Sequence, residues 1–299
     1  MQKLNFIKTI LPSLLFLISP VVSAEEITLN HQGVTLNANL EKSDNWSTGT
    51  VVLMTHGTLA HNKMEIMATL QELLSEQDVS SLAINLSLGL DNRHEFYDCA
   101  TPHHHKHTDA LQEIAAWLDW LKKQNVKQVV LLGHSRGGNQ TAWFATQHDD
   151  AVVQKVVLVA PQTWSTDYAA KNYKERYGKD LQSLLNKAQS LVQSGKGNTV
   201  LKNIDFIYCK DTSATADAVV SYYSSNPNMD SPYLMPKIKK PLLVIAGTED
   251  KVVKYLASFV QPLADKHGFQ FNIIEGAGHN FRDLYADEMV ETIIEFIEQ

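Results

Sequence analysis

Past residue 24 the chain alternates between two hydrophobic patterns. Short runs at residues 50–54, 80–85, 128–132, 155–159, 241–246 and 270–274 are apolar at most positions and rich in Val, Ile or Leu. A run apolar throughout, rather than at every second residue, suits a strand buried on both faces, as in a parallel sheet covered by helices. Residues 26–29 and 34–40, separated by His31-Gln32-Gly33, read instead as an opening hairpin. Between the strands, residues 63–76, 108–124, 139–147, 253–267 and 284–298 repeat their apolar positions near the helical period, the second of them as a stripe of Leu111, Ile114, Leu118 and Leu121. This order predicts an α/β fold with a mostly parallel sheet flanked by helices.

The alternation breaks between residues 162 and 240. That segment is aromatic and polar, with helical pieces near 179–193 and 214–224 and a Pro-containing stretch at 226–236. It is too long for a plain connection. Ligand sites of open α/β sheets gather at the carboxyl ends of the strands, so the segment is expected to form a helical cap over that edge. Its Trp164, Tyr168, Tyr173, Tyr177, Phe206, Tyr208, Tyr222, Tyr223 and Tyr233 either pack the cap onto the sheet or line a substrate pocket.

The first residues change the picture of where the chain works. Lys3 and Lys8 precede an apolar run broken by Pro12 and Pro20, and the run ends in Val22-Ser23-Ala24. This is the layout of a secretory signal peptide cut after Ala24. The uninterrupted apolar stretch is short of the roughly 20 residues a membrane-spanning helix needs. The expectation is therefore a leader at 1–24, a single domain at 25–299, and a secreted or periplasmic protein without an integral membrane segment after cleavage.

Across the whole chain, 26 Lys and Arg face 33 Asp and Glu for a net charge of −7, and loss of Lys3 and Lys8 with the leader takes this to −9. Such a surface has no electrostatic footprint for nucleic acid. The two cysteines, Cys99 and Cys209, are either free thiols or a disulfide tying the cap to the body, and sequence separation does not choose between these.

Candidate chemistry centres on Val129-Val130-Leu131-Leu132-Gly133-His134-Ser135-Arg136-Gly137-Gly138, a strand entering a Gly-x-Ser-x-Gly turn and then a helix. The turn must project the serine hydroxyl above the sheet. Gly133 and Gly137 permit it because side chains there would strike neighbouring elements. Ser135 as nucleophile needs a base and an orienting acid. Two predicted strands supply them at their carboxyl ends: Gly247-Thr248-Glu249-Asp250 offers Asp250, with Glu249 as its neighbour, and Glu275-Gly276-Ala277-Gly278-His279 offers His279. His134 is expected to point away from the site, and His148 and His267 to be solvated at helix ends. Oxyanion donors are expected in the amides of Arg136 and of Thr58, the latter in the turn Thr55-His56-Gly57-Thr58, where His56 is read as a loop-stabilising hydrogen-bonding group.

With these residues in place the chain resembles the α/β-hydrolase superfamily, whose order of nucleophile, acid and base they follow. The resemblance covers nearly the whole chain past residue 24. It implies an eight-stranded sheet, a Ser135–His279–Asp250 triad, acyl transfer through an acyl-enzyme, and neither a metal nor an organic cofactor. The expected activity is hydrolysis of small to medium carboxylic esters. Lipase, thioesterase or peptidase chemistry on the same triad, and a binding protein that keeps the fold without turnover, are the alternatives. His103, His104, His105 and His107 form a cluster, but only His103 and His107 would share a helical face, so metal binding is not expected.

Overall fold

The structure is a computed structural model, and it describes residues 24–46 and 48–299. All of the leader expected at 1–24 except Ala24 lies outside the described residues. In chain order the elements are β1 (Glu25–His31), β2 (Val34–Glu41), β3 (Thr50–Thr55), α1 (Glu65–Glu76), β4 (Ser80–Asn85), α2 (Asp109–Lys123), β5 (Gln128–His134), α3 (Arg136–Gln147) and β6 (Val153–Val159). After β6 come α4 (Thr166–Tyr177), α5 (Leu181–Gln193), β7 (Val200–Phe206), β8 (Cys209–Thr215), α6 (Ala216–Tyr223) and α7 (Ser231–Leu234). The chain closes with β9 (Leu242–Gly247), α8 (Leu256–His267), β10 (Gln270–Ile274) and α9 (Leu284–Glu298).

Eight strands form one sheet in the order β1-β2-β4-β3-β5-β6-β9-β10. The β1–β2 and β2–β4 pairings are antiparallel and the others parallel. Period-two alternation divides each central strand between two cores. Val51, Leu53, Val129, Leu131, Val156 and Leu158 face the side of Trp117 on α2 and Phe144 on α3. Val52, Met54, Val130, Leu132, Val157 and Val159 face Leu70 on α1 and Ile293 on α9. Each fully buried Val or Leu stabilises the fold by about 1.5–3 kcal/mol. Burial on both faces is why these strands read as continuous apolar runs.

The segment between β6 and β9 departs from the helical expectation. It contains α4, α5, α6 and α7, but β7 and β8 pair as an antiparallel hairpin with irregular register. A second departure concerns the histidine cluster. Residues around His103 are extended, not helical: His103 bridges Ala214 of β8, donating its amide to Ser213 O at 2.8 Å and accepting from Thr215 N at 2.9 Å. Extended chain repeats every two residues. His103, His105 and His107 are accordingly buried, whereas His104 is exposed. Cys99 and Cys209 form a disulfide, with Cα atoms 5.3 Å apart, that joins this strap to the hairpin. Among the described residues no helix is long and apolar enough to cross a membrane.

Candidate active site

Ser135 sits between β5 and α3 with φ 58° and ψ −121°, a left-handed conformation costing roughly 1–3 kcal/mol for a residue with a side chain. Three backbone bonds hold it there: Ser135 N donates to Val159 O at 3.0 Å, and Ser135 O accepts from Gln162 N at 2.9 Å and Asn139 N at 3.3 Å. A Cβ on Gly133 would lie 2.5 Å from both Gly137 O and Thr141 Oγ1. One on Gly137 would lie 2.5 Å from Thr55 O and collide with the carbonyl of His56. The glycines are therefore fixed by the close approach of β3, β5 and α3.

The loops after β9 and β10 are laced together. Thr248 N donates to Ile274 O at 3.2 Å, Glu249 N to Ala277 O at 2.9 Å, and Gly276 N to Thr248 Oγ1 at 2.8 Å. This places His279 Nδ1 at 2.7 Å from Asp250 Oδ2 and His279 Nε2 at 2.9 Å from Ser135 Oγ. Asp250 Oδ1 accepts from the amides of Val252 at 2.7 Å and Val253 at 2.9 Å. Burial pushes the Asp250 carboxyl up, but the His279 hydrogen bond and charge with the two amides outweigh it and hold the group below the usual carboxylate range. Glu249 is exposed and makes no such bond.

His134 departs from the sequence expectation: it packs beside His279 with ring centroids 4.8 Å apart. Its Nε2 donates to the His279 carbonyl at 2.9 Å, anchoring that loop. Burial and then the nearby His279 push its pKa down to about 3, so the ring is neutral. Sequence gave no signal for this contact because it joins two loops far apart in the chain. His148 and His267 are exposed, in line with the sequence reading.

His56 is fully buried, with Nδ1 donating to Gly57 O at 2.9 Å and Nε2 accepting from Leu86 N at 3.0 Å. It braces the turn that carries Thr58. The amides of Thr58 and Arg136 have no acceptor among the described residues. Arg136 also contributes its side chain, which the sequence reading did not use: Nε donates to Thr58 Oγ1 at 2.9 Å and Nη1 to His107 Nδ1 at 3.3 Å.

Ser135, Thr58 and Arg136 open into a cleft of about 830 Å³. The segment between β6 and β9 forms much of its wall. Of the nine aromatics singled out there, Trp164 and six tyrosines border the cleft. Phe206 is instead buried against His103 and Tyr222, and Tyr233 lies under Lys237 at the surface. Asp230 accepts from Trp164 N at 2.9 Å, and Ser231 Oγ donates to Gln162 O at 2.6 Å, tying the wall to the loop after β6. The buried histidines of the strap spend nitrogens on protein partners: His103 Nδ1 lies 3.1 Å from His105 Nε2, His105 Nδ1 2.8 Å from Tyr222 OH, and His107 Nε2 donates to Asn139 Oδ1 at 2.8 Å.

An eight-stranded, mostly parallel sheet between two helical layers, with a serine on a strained strand-to-helix turn, is the architecture of the α/β-hydrolase superfamily. Within it, residues 48–282 match the model of the serine aminopeptidase S33 family of hydrolases, and the chain belongs to that family. Among solved structures it is similar to Est1E from Butyrivibrio proteoclasticus with ferulic acid bound, at 20% identity and a TM-score of 0.64 over 91% of this chain and 97% of that one. It is also similar to the esterase Pf2001 from Pyrococcus furiosus, at 18% identity and a TM-score of 0.61 over 93% of this chain and 91% of that one. At such identities these likenesses bear on the fold.

Proposed function

We propose that the protein is an exported serine esterase that cleaves small to medium carboxylic esters through an acyl-enzyme. The observation that carries the reading is the unbroken run of short contacts from Ser135 Oγ through His279 to Asp250. In this reading His279 Nε2 takes the Ser135 proton as Oγ bonds to the ester carbonyl, and the Asp250 carboxylate holds the Nδ1–H tautomer. The tetrahedral oxyanion sits between the amides of Thr58 and Arg136, each such donor being worth about 10²–10³ in rate. Collapse expels the alcohol with the proton from His279, and water then releases the acid by the same steps in reverse. Residues 162–240 act as the cap of a single domain at 25–299, and no cofactor takes part.

Export is supported by the leader pattern at 1–24 together with the Cys99–Cys209 bond, since disulfides persist in oxidising compartments. Ser135→Ala is expected to lower kcat/KM for p-nitrophenyl esters by about 10⁴-fold or more, with thermal melting unchanged. Equal rates for parent and variant would overturn the assignment, and a serine inert to fluorophosphonate in folded protein would favour a binding role. The family description raises a second reading, an aminopeptidase. Against it, five basic and two acidic residues line the cleft, a poor setting for a substrate ammonium. Aminoacyl p-nitroanilides run beside the esters separate the two.

A further inference from the structure

Arg136 follows Ser135 directly, and its half-buried side chain lines the cleft. A guanidinium has five N–H donors and no acceptor. Two are used, on Thr58 Oγ1 and His107 Nδ1, and the group lies 5.1 Å from the centre of the Tyr222 ring. The remaining three N–H groups have no acceptor among the described residues, and no carboxylate there lies within ion-pair distance. The partners are all neutral. His107 cannot carry charge, because burial and then Arg136 itself push its pKa down to about 3. With Nε2–H committed to Asn139 Oδ1, its Nδ1 is left as an acceptor.

A hydroxyl, a neutral imidazole and an aromatic face thus aim the charge without cancelling it. Partly desolvated charges are stabilised by a counter-charge, and the surroundings supply none. Of the two acids lining the cleft, Glu175 is 3.9 Å from Lys171 and Asp230 is occupied by Trp164 N. Lys251, Lys254 and Arg176 add positive charge around the same cleft of a chain whose net charge is −7. The cleft therefore opposes the sign of the molecule, which concentrates anions in it.

We infer that the Arg136 side chain is the specificity residue for esters bearing a second, free carboxylate, such as half-esters of dicarboxylic acids. This rests on the esterase reading given above. The carboxylate docks on the unused N–H groups and is unchanged by reaction. Ser135 Oγ bonds to the ester carbonyl, the C–O bond to the alcohol breaks, and water finally frees the dicarboxylic acid. The two oxygens of a carboxylate match the planar guanidinium fork.

The test compares p-nitrophenyl hydrogen glutarate with its neutral methyl-capped diester on purified protein. The parent is expected to favour the anionic ester by about 10- to 100-fold in kcat/KM, the range of a charge-assisted contact. Arg136→Gln is expected to bring that ratio to within about 3-fold of unity, and Arg136→Lys to retain part of it, whatever happens to absolute rates. A ratio near unity in the parent, or one unchanged in Arg136→Gln, overturns the inference. A second arm titrates Ser135→Ala protein with monomethyl glutarate and dimethyl glutarate by calorimetry. If neither ester is cleaved, the esterase reading falls while selective binding of monomethyl glutarate, lost on adding Arg136→Gln, upholds the subsite. Equal binding of the two overturns it.

Discussion

At the scale of single residues, the turn at Ser135 shows how little freedom the sequence has. The carbonyls of Thr55 and His56 crowd Gly137 so closely that a methyl group there meets backbone, which cannot rotate away. Gly137→Ala is expected to cost about 3 kcal/mol or more, or to prevent folding, as read from urea unfolding. Tolerance of alanine with an unchanged midpoint would contradict the packing. This turn was legible from the chain because glycine spacing, an apolar run and a following helix are local signals. The bond from His134 to the His279 carbonyl was not, because nothing near residue 134 reports on residue 279. Likewise the sequence assigned Arg136 only a backbone role, since the partners of its side chain, Thr58 and His107, come from two other loops.

At the scale of elements, the central strands β3, β5, β6 and β9 were readable because both faces are buried and most of their residues are apolar for that reason, whereas β1 and β2, exposed on part of their surface, were readable as a hairpin around His31-Gln32-Gly33. The β7–β8 hairpin escaped notice. Lys202, Asn203, Lys210 and Asp211 are exposed, and the register slips between Leu201 and Ile204, so no clean alternation survives in the sequence. Helix α4 was missed because it buries only Ala169 and Tyr173 and so lacks an apolar stripe; its ends are set by the Ser165 hydroxyl accepting from Tyr168 N and by Gly178 in the left-handed conformation. The histidines were misassigned by period: helical spacing was applied to an extended strap. That strap is held by a disulfide closing a loop of sequence separation 110. In the chain-entropy model such a crosslink stabilises by about 4–5 kcal/mol. The double variant Cys99→Ser/Cys209→Ser is expected to lose several kcal/mol in urea unfolding, and a loss under about 1 kcal/mol would show that the bond constrains little.

For the whole molecule, the quantity that governs pH dependence is the number of histidines kept neutral by burial. His56, His107 and His134 are held at about 3 and His103 at about 4, with His105 well below its ordinary value, desolvation being the leading cause in each. The unfolded chain protonates them near pH 6.5. Stability is therefore intact above that pH and is lost as pH falls toward the folded values, since only the unfolded state takes up the protons. Glu113 works the other way. Burial, offset by bonds from Ser87, raises its pKa to about 7, so between about 4.5 and 7 the folded state holds a proton the unfolded state has released, and stability falls as pH rises through that window. Five groups outweigh one. Unfolding free energy is expected to be flat above about pH 7.5 and to drop by several kcal/mol per pH unit near pH 5, as measured by urea titration across pH. A slope there of less than one proton would contradict it.

The strap also sets the boundaries of what can be exchanged. Its residues belong by chain position to the crossing from β4 to α2, yet they pair with β8 and are bolted to the hairpin. A graft that replaced only the stretch between β6 and β9 with that of a relative would strip His105 of Tyr222 and leave Arg136 without its aromatic support. The transplantable module is discontinuous, two pieces of chain that have to travel together.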